Sequence, residues 1–149
     1  MFNLSELATE YLDNKEQAGI LVRRIEKMQR GKELLGDIPE TELAEDEKKI
    51  LSIVQGWKKR LFELELSICR YELVVSILDA RERMVLHLHF EKGLSMRQIS
   101  EMNWQKYSIE KISTSTLNRV RRALVNKFEE QYTADEPLSI SDLMNDKNE

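Results

Sequence analysis

From Ile50 to Leu78 the apolar residues never depart from a spacing of three or four. Ile50, Val54, Trp57, Leu61, Leu64, Ile68, Tyr71, Val75 and Leu78 follow one another in this way. Such a rhythm keeps one face of an α-helix apolar turn after turn, and it does not suit a strand, whose period is two. The pattern predicts a helix that starts between Thr41 and Asp46 and continues to about Ser76. At ~1.5 Å per residue it is roughly 45–50 Å long. A helix of that length is stable in water only if its apolar face is covered along most of its extent. The remainder of the chain, or a second chain, has to supply that cover.

The N-terminal stretch has the matching pattern. Leu4, Leu7, Tyr11, Asn14, Ala18, Leu21, Ile25 and Met28 also alternate by three and four, a heptad seam over four repeats. They predict a helix from residue 3 to about 30. Asn14 puts a polar group on the seam, of the kind that fixes register or pairing. Between the two patterns Gly31, Gly36 and Pro39 are turn punctuation, and so short a connection favours antiparallel neighbours. The seam closes either within one chain, as a hairpin, or between chains. Leu43, Ile53, Phe62, Leu66, Leu73 and Val74 lie off it, so the apolar surface is wider than a two-stranded coil needs. That width favours self-association, with a dimer first. The cluster Lys58-Lys59-Arg60 reads as a solvated face.

Residues 79 to 130 have a different texture: shorter elements with their own start signals. Asp79 followed by Glu82 is a capping box, and Leu78, Met84, Val85 and Leu88 share a face, so a helix is predicted from Asp79 to about Phe90. Gly93 suits the left-handed position that ends it. Ser95 caps a short helix to about Asn103, with Met96, Ile99 and Met102 inward. A third helix begins near Ser113 or Ser115, with Leu117, Val120, Leu124 and Phe128 as its apolar face. Asn118, Arg119, Arg121, Arg122, Asn126 and Lys127 fall to its other faces. Arg pairs bidentately with guanine and Asn with adenine in a major groove, and basic residues further along a reading helix meet phosphates. The candidate DNA-contacting set is therefore Ser115, Thr116, Asn118, Arg119, Arg121, Arg122 and Lys127.

The string Leu78-x-x-Arg81-Glu82-Arg83-x-Val85-Leu86-x-Leu88-x-Phe90-x-x-Gly93-Leu94-Ser95-x-x-x-Ile99-Ser100 resembles the promoter-recognition domain, region 4, of bacterial sigma-70-type factors. Joined to a small helical chain, it is similar to the ArpU and RinA-type late transcription regulators of Gram-positive phages. The resemblance covers about a third of the chain. It implies a helix-turn-helix whose last helix enters DNA, and it adds RNA polymerase to the implied partners. Two departures stand out. Asn103 to Lys111, with Trp104 and Tyr107, separates the second and third helices by more than the usual short turn: either the second helix is extended or a loop is inserted. Nothing resembles the promoter-melting region of a full sigma factor.

The expected fold class is all-α, a long N-terminal helical hairpin of coiled-coil type followed by a sigma region 4-like helix-turn-helix domain. The expected divisions are 1–78 for packing and oligomerisation, 79–130 for DNA binding and 131–149 as an acidic tail. The net charge of −4 over 149 residues argues against a DNA binder until it is resolved by region. Residues 79–130 hold 10 Lys/Arg against 7 Asp/Glu, a net of +3. Residues 1–78 hold 12 against 15 and residues 131–149 hold 1 against 5. The positive balance is thus local to the proposed reading unit, a mild electrostatic footprint.

Little in the chain suggests bond-making chemistry. His87 and His89 are two apart and point to different faces of a helix, with no metal-ligand spacing around them. Cys69, the single cysteine, has no base partner and reads as an inert thiol in a reducing compartment. There is no glycine-rich phosphate loop, so the chain is read as a non-enzyme without metal or cofactor. No long apolar run or signal core is present, so a cytoplasmic protein without a membrane span is expected. Double-stranded DNA is the leading partner, in a transcription regulator of phage or mobile-element type. Two other assignments use the same elements. A small terminase subunit would close into a ring, and a protein-interaction module would bind polymerase or another regulator through the hairpin without binding DNA.

Overall fold

The computed structural model describes residues 2–35, 45–102 and 112–133, and these are helical with turns and no strand. Five α-helices follow in order: α1, Leu4–Leu35; α2, Glu45–Ser76; α3, Ala80–Val85; α4, Met96–Ser100; α5, Thr114–Thr133. A π-helical segment, Leu86–Glu91, continues α3. The all-α expectation holds. The expected features at Leu43, Trp104, Tyr107 and 134–149 lie outside the described residues.

The chain divides into two compact units. One comprises residues 11–69, the other residues 1–10 with 70–149. These compact units divide within the long helices, after Glu10 and after Cys69. The reason is burial: Tyr71, Val74 and Leu78 on α2 and its end, with Leu4 and Ala8 on α1, belong to the core of the second unit. Likewise Gln131–Thr133, expected to start the acidic tail, complete α5.

In the unit of residues 11–69, α1 and α2 meet along the two alternating seams. Ala18, Leu21 and Leu64 form a buried cluster, with Trp57, Leu61 and Ile68 packed against it. Arg24 lies over the Trp57 ring, 5.9 Å from its centroid. Later α1 residues thus meet earlier α2 residues, so the helices run antiparallel. Asn14 is buried on the seam.

The unit of residues 1–10 and 70–133 is built on short capped elements. At Asp79 both halves of the capping box are present: Glu82 N–H donates to Asp79 Oδ1 at 2.8 Å and Asp79 N–H donates to Glu82 Oε1 at 3.0 Å. A second box stands at Ser95. Gln98 N–H donates to Ser95 Oγ at 3.1 Å and Ser95 N–H to Gln98 Oε1 at 2.8 Å. Each box satisfies two otherwise orphaned donors at a helix start. The helix from Ala80 widens at Leu86, where Lys92 N–H reaches His87 O at 2.9 Å. Gly93 then turns the chain at φ +79, and Leu94 N–H closes on Leu88 O at 2.9 Å. Only glycine enters that left-handed region without strain. The turn is held by His89, whose Nδ1 lies 2.7 Å from Leu94 O. A carbonyl only accepts, so Nδ1 carries the proton and His89 has a structural task.

At the far end of α5, Tyr132 stacks under the Arg70 guanidinium, 4.2 Å from the ring centroid. Phe2 and Phe128 lie 6.2 Å from the same ring. Burial pushes the Tyr132 phenol up to about 12; Arg70 acts in the opposite direction and Glu10 adds to the rise. The unfolded chain gives up this proton near the ordinary value of 10.0, before the folded chain does. The stabilisation is therefore complete below pH 10 and is lost as pH climbs towards 12. Tyr132→Phe keeps the ring, so its denaturation midpoint falls less steeply over that window than the native protein's. Identical alkaline slopes in urea titrations would remove Tyr132 from the account.

Candidate nucleic-acid interface

α5 divides into a buried face and an open one. Leu117, Leu124 and Phe128 are fully buried, and α5 packs against both α3 and α4. Phe128 meets Tyr71 with ring centroids 5.1 Å apart. Helix α4 reaches α5 through Ser100, whose buried hydroxyl donates to Ile112 O at 3.0 Å. That bond fixes the end of α4 to the approach of α5, although nine residues of sequence intervene between Met102 and Ile112. The helical bonding of α4 stops at Ser100, with Glu101 as its C-cap. Of the two expectations for this region, an extended second helix is not what residues 101–102 adopt; Asn103 to Lys111 lie outside the described residues.

The start of α5 is a hydroxyl cluster. Thr116 N–H donates to Ser113 Oγ at 3.3 Å, so Ser113 is the residue that accepts at this helix start. Ser113 Oγ also donates to Thr116 Oγ1 at 2.9 Å and lies 3.2 Å from Ser115 Oγ. The cap leaves Ser115 exposed and Thr116 half-buried.

The seven candidate residues do not share one face. Ser115, Arg119 and Arg122 are exposed and succeed one another at helical spacings of four and three. Asn118 stands half-buried at the edge of this strip. Asn126 is exposed and four residues beyond Arg122, and so extends the strip by a turn. Spacing alone would have singled out Asn126, which the candidate set omits. Arg121 lies four residues from Leu117 and three from Leu124, and it is half-buried beside the apolar face.

Lys127 is engaged elsewhere. Its ammonium donates to Glu82 Oε1 at 2.6 Å. That hydrogen bond raises the Lys127 pKa above its ordinary 10.5, against the effect of burial, and the charges of Glu82 and Asp79 add to the rise. Glu82 is buried and its other oxygen has no hydrogen-bond partner among the described residues. A buried carboxylate held by one cation is costly to leave alone, so Lys127 ties α5 to the capped start of α3. The pairing links two elements through side chains 45 residues apart, which no local pattern announces. Arg83 plays a related part. Its guanidinium donates to Val75 O at 3.2 Å and Ser76 O at 3.3 Å, closing the last carbonyls of α2.

Glu91 and Glu101 hold further contacts in this unit. Arg97 meets Glu101 at 3.2 Å, His87 meets Glu91 at 3.3 Å, and Tyr71 donates its hydroxyl to Glu91 at 3.0 Å. Among the described residues no group of three or more His, Cys, Asp or Glu side chains could hold a metal ion, and no helix is long and apolar enough to cross a membrane. Compared with protein-family models, curated proteins and solved structures, the chain matches none.

Proposed function

We propose that the chain is a sequence-specific, DNA-binding transcription regulator of phage or mobile-element type that acts as a homodimer. In this reading residues 11–69 form a helical hairpin, α3 to α5 form a helix-turn-helix of the sigma-70 region 4 kind, and α5 enters the major groove. The observation that carries it is the open strip of Ser115, Arg119, Arg122 and Asn126 on a helix whose opposite face is buried. Two arginines and an asparagine on an open helix face have the chemistry that reads guanine and adenine. The bracing by α3 and α4 supports the same reading, because a reading helix has to be held rigidly to be selective. Lys127 leaves the contact set, since its charge is used on Glu82. Arg121 becomes a flanking phosphate contact. RNA polymerase remains a partner by resemblance.

The test is retention of random genomic fragments by the full-length protein, followed by sequencing of what is retained. The reading expects one or a few enriched sites upstream of genes. A single site beside packaging genes would favour a terminase subunit instead. No enrichment even at low salt, where phosphate contacts are strongest, would overturn DNA binding by α5.

A further inference from the structure

Helix α2 carries a second apolar stripe opposite its seam. Phe62, Leu66, Cys69 and Leu73 succeed one another at four, three and four residues. Phe62 is 60% exposed and Leu66 36% exposed, while Cys69 and Leu73 are half-buried. With Leu66 and Leu73 at a and Phe62 and Cys69 at d, the stripe has heptad form. Its flanks then follow by position: Lys58, Glu65 and Glu72 at g, Glu63 and Arg70 at e. These flanks decide what fits against it.

We propose that the stripe pairs with the same stripe of a second copy, α2 beside α2 in parallel. In that arrangement each g residue meets the e residue five positions later on the other helix. Lys58 meets Glu63 of the second copy and Glu65 meets Arg70 of the second copy. Two-fold symmetry repeats both contacts, so all four flanking pairs join opposite charges. An antiparallel pair keeps Glu63 against Arg70 but sets Glu65 against Glu72, so attraction and repulsion cancel. The flanking charges therefore choose both the occupant and its direction, as e and g positions do in coiled coils. Lys58 and Glu65 are exposed. Glu63 forms only an exposed pair with Arg60 at 3.6 Å, which is weak. Arg70 uses one N–H on Gln131 O at 3.4 Å and its face on Tyr132, out of five guanidinium donors. About two heptads of contact make a modest interface, so the dimer forms and dissociates with concentration.

The inference rests on the self-association in the proposed function and names its surface; it does not depend on DNA. Sedimentation equilibrium of the full chain expects a monomer–dimer equilibrium. Phe62→Glu raises the dissociation constant by about 30-fold or more, as loss of an aromatic anchor does, and Leu66→Lys repeats the effect. Helix content by circular dichroism stays the same in both. Cys69 is the only cysteine in the chain, so it reports direction without added probes. Diamide, which accepts the two hydrogens of a thiol pair, yields a Cys69–Cys69 disulfide dimer in the native protein and little in Phe62→Glu. A dimer that ignores both substitutions overturns this surface and leaves self-association standing. A dimer sensitive to them that diamide does not cross-link overturns the parallel direction. A monomer at all concentrations overturns both the surface and the dimer of the proposed function.

Discussion

Replacing Arg119 and Arg122 together by alanine lowers affinity for duplex DNA by about two orders of magnitude near ~0.1 M salt and flattens its salt dependence. The two guanidiniums stand on the open strip of α5 one turn apart, so in the proposed reading both would enter the same groove. Removing one phosphate interaction takes about 0.9 from the slope of log affinity against log salt, and removing one bidentate base pairing costs about 1–3 kcal/mol of discrimination. The split between these effects distinguishes the roles. If the arginines touch phosphate, the slope falls by about 1.8 and all sequences weaken alike. If they read bases, the preferred site weakens more than random DNA and the slope changes less. Folding should not change, because neither side chain has a hydrogen bond or ion pair among the described residues and both are exposed. Arg121→Ala, on the flank of the apolar face, weakens binding less than either of the others. Titrations of the double variant across salt that reproduce the native affinity and slope would take α5 out of the groove.

Phe128→Ala destabilises the second unit by about 3–5 kcal/mol, the usual cost of truncating a fully buried aromatic. Phe128 has no exposed surface and sits between Tyr71 and Tyr132, with ring centroids at 5.1 and 6.2 Å. Its removal leaves a cavity at the point where α5 is anchored to the end of α2. Domains of ordinary size have only about 5–15 kcal/mol in hand, so α5 would be loosened at physiological temperature and DNA binding would fall with it. Phe128→Leu keeps apolar contact and costs roughly 1–2 kcal/mol. Glu130→Ala, at an exposed position of the same helix, costs little. Urea unfolding followed by circular dichroism measures all three, and hydrogen exchange of the α5 amides localises the loss. A change below about 1 kcal/mol for Phe128→Ala would mean that α5 is anchored elsewhere.

Much of the architecture was legible because it is written in local spacing. The three-four alternation marked α1 and α2 and the residues that bury between them. Asp79 with Glu82, Ser95 and Gly93 marked the starts and stop of the short elements, since a cap is a bond between residues three apart and a left-handed turn is a property of one residue. The site was less legible. Spacing already placed Asn126 on the open strip and Arg121 beside the apolar face, but a candidate set chosen by residue chemistry left Asn126 out and kept Arg121 in. Lys127 looked like its basic neighbours and became a tie between helices, because Glu82 reaches it from another element. The widening at Leu86 also escaped the pattern. An ordinary helix and a π turn have the same composition there and differ only in which carbonyl each amide meets.

The sequence by itself determined that the described chain is helical, where its capped elements begin, and which face of each helix is apolar. These follow from short-range sterics, capping bonds and hydrophobic periodicity, all of which act within about a turn of helix. Only the tertiary structure decided which cations remain available on α5, that the compact units divide within α1 and α2, and that Phe62 and Leu66 stay exposed on α2. Those outcomes depend on which side chains meet across dozens of residues. A charge is spent or left open according to its neighbour in space, and local spacing holds no record of that neighbour.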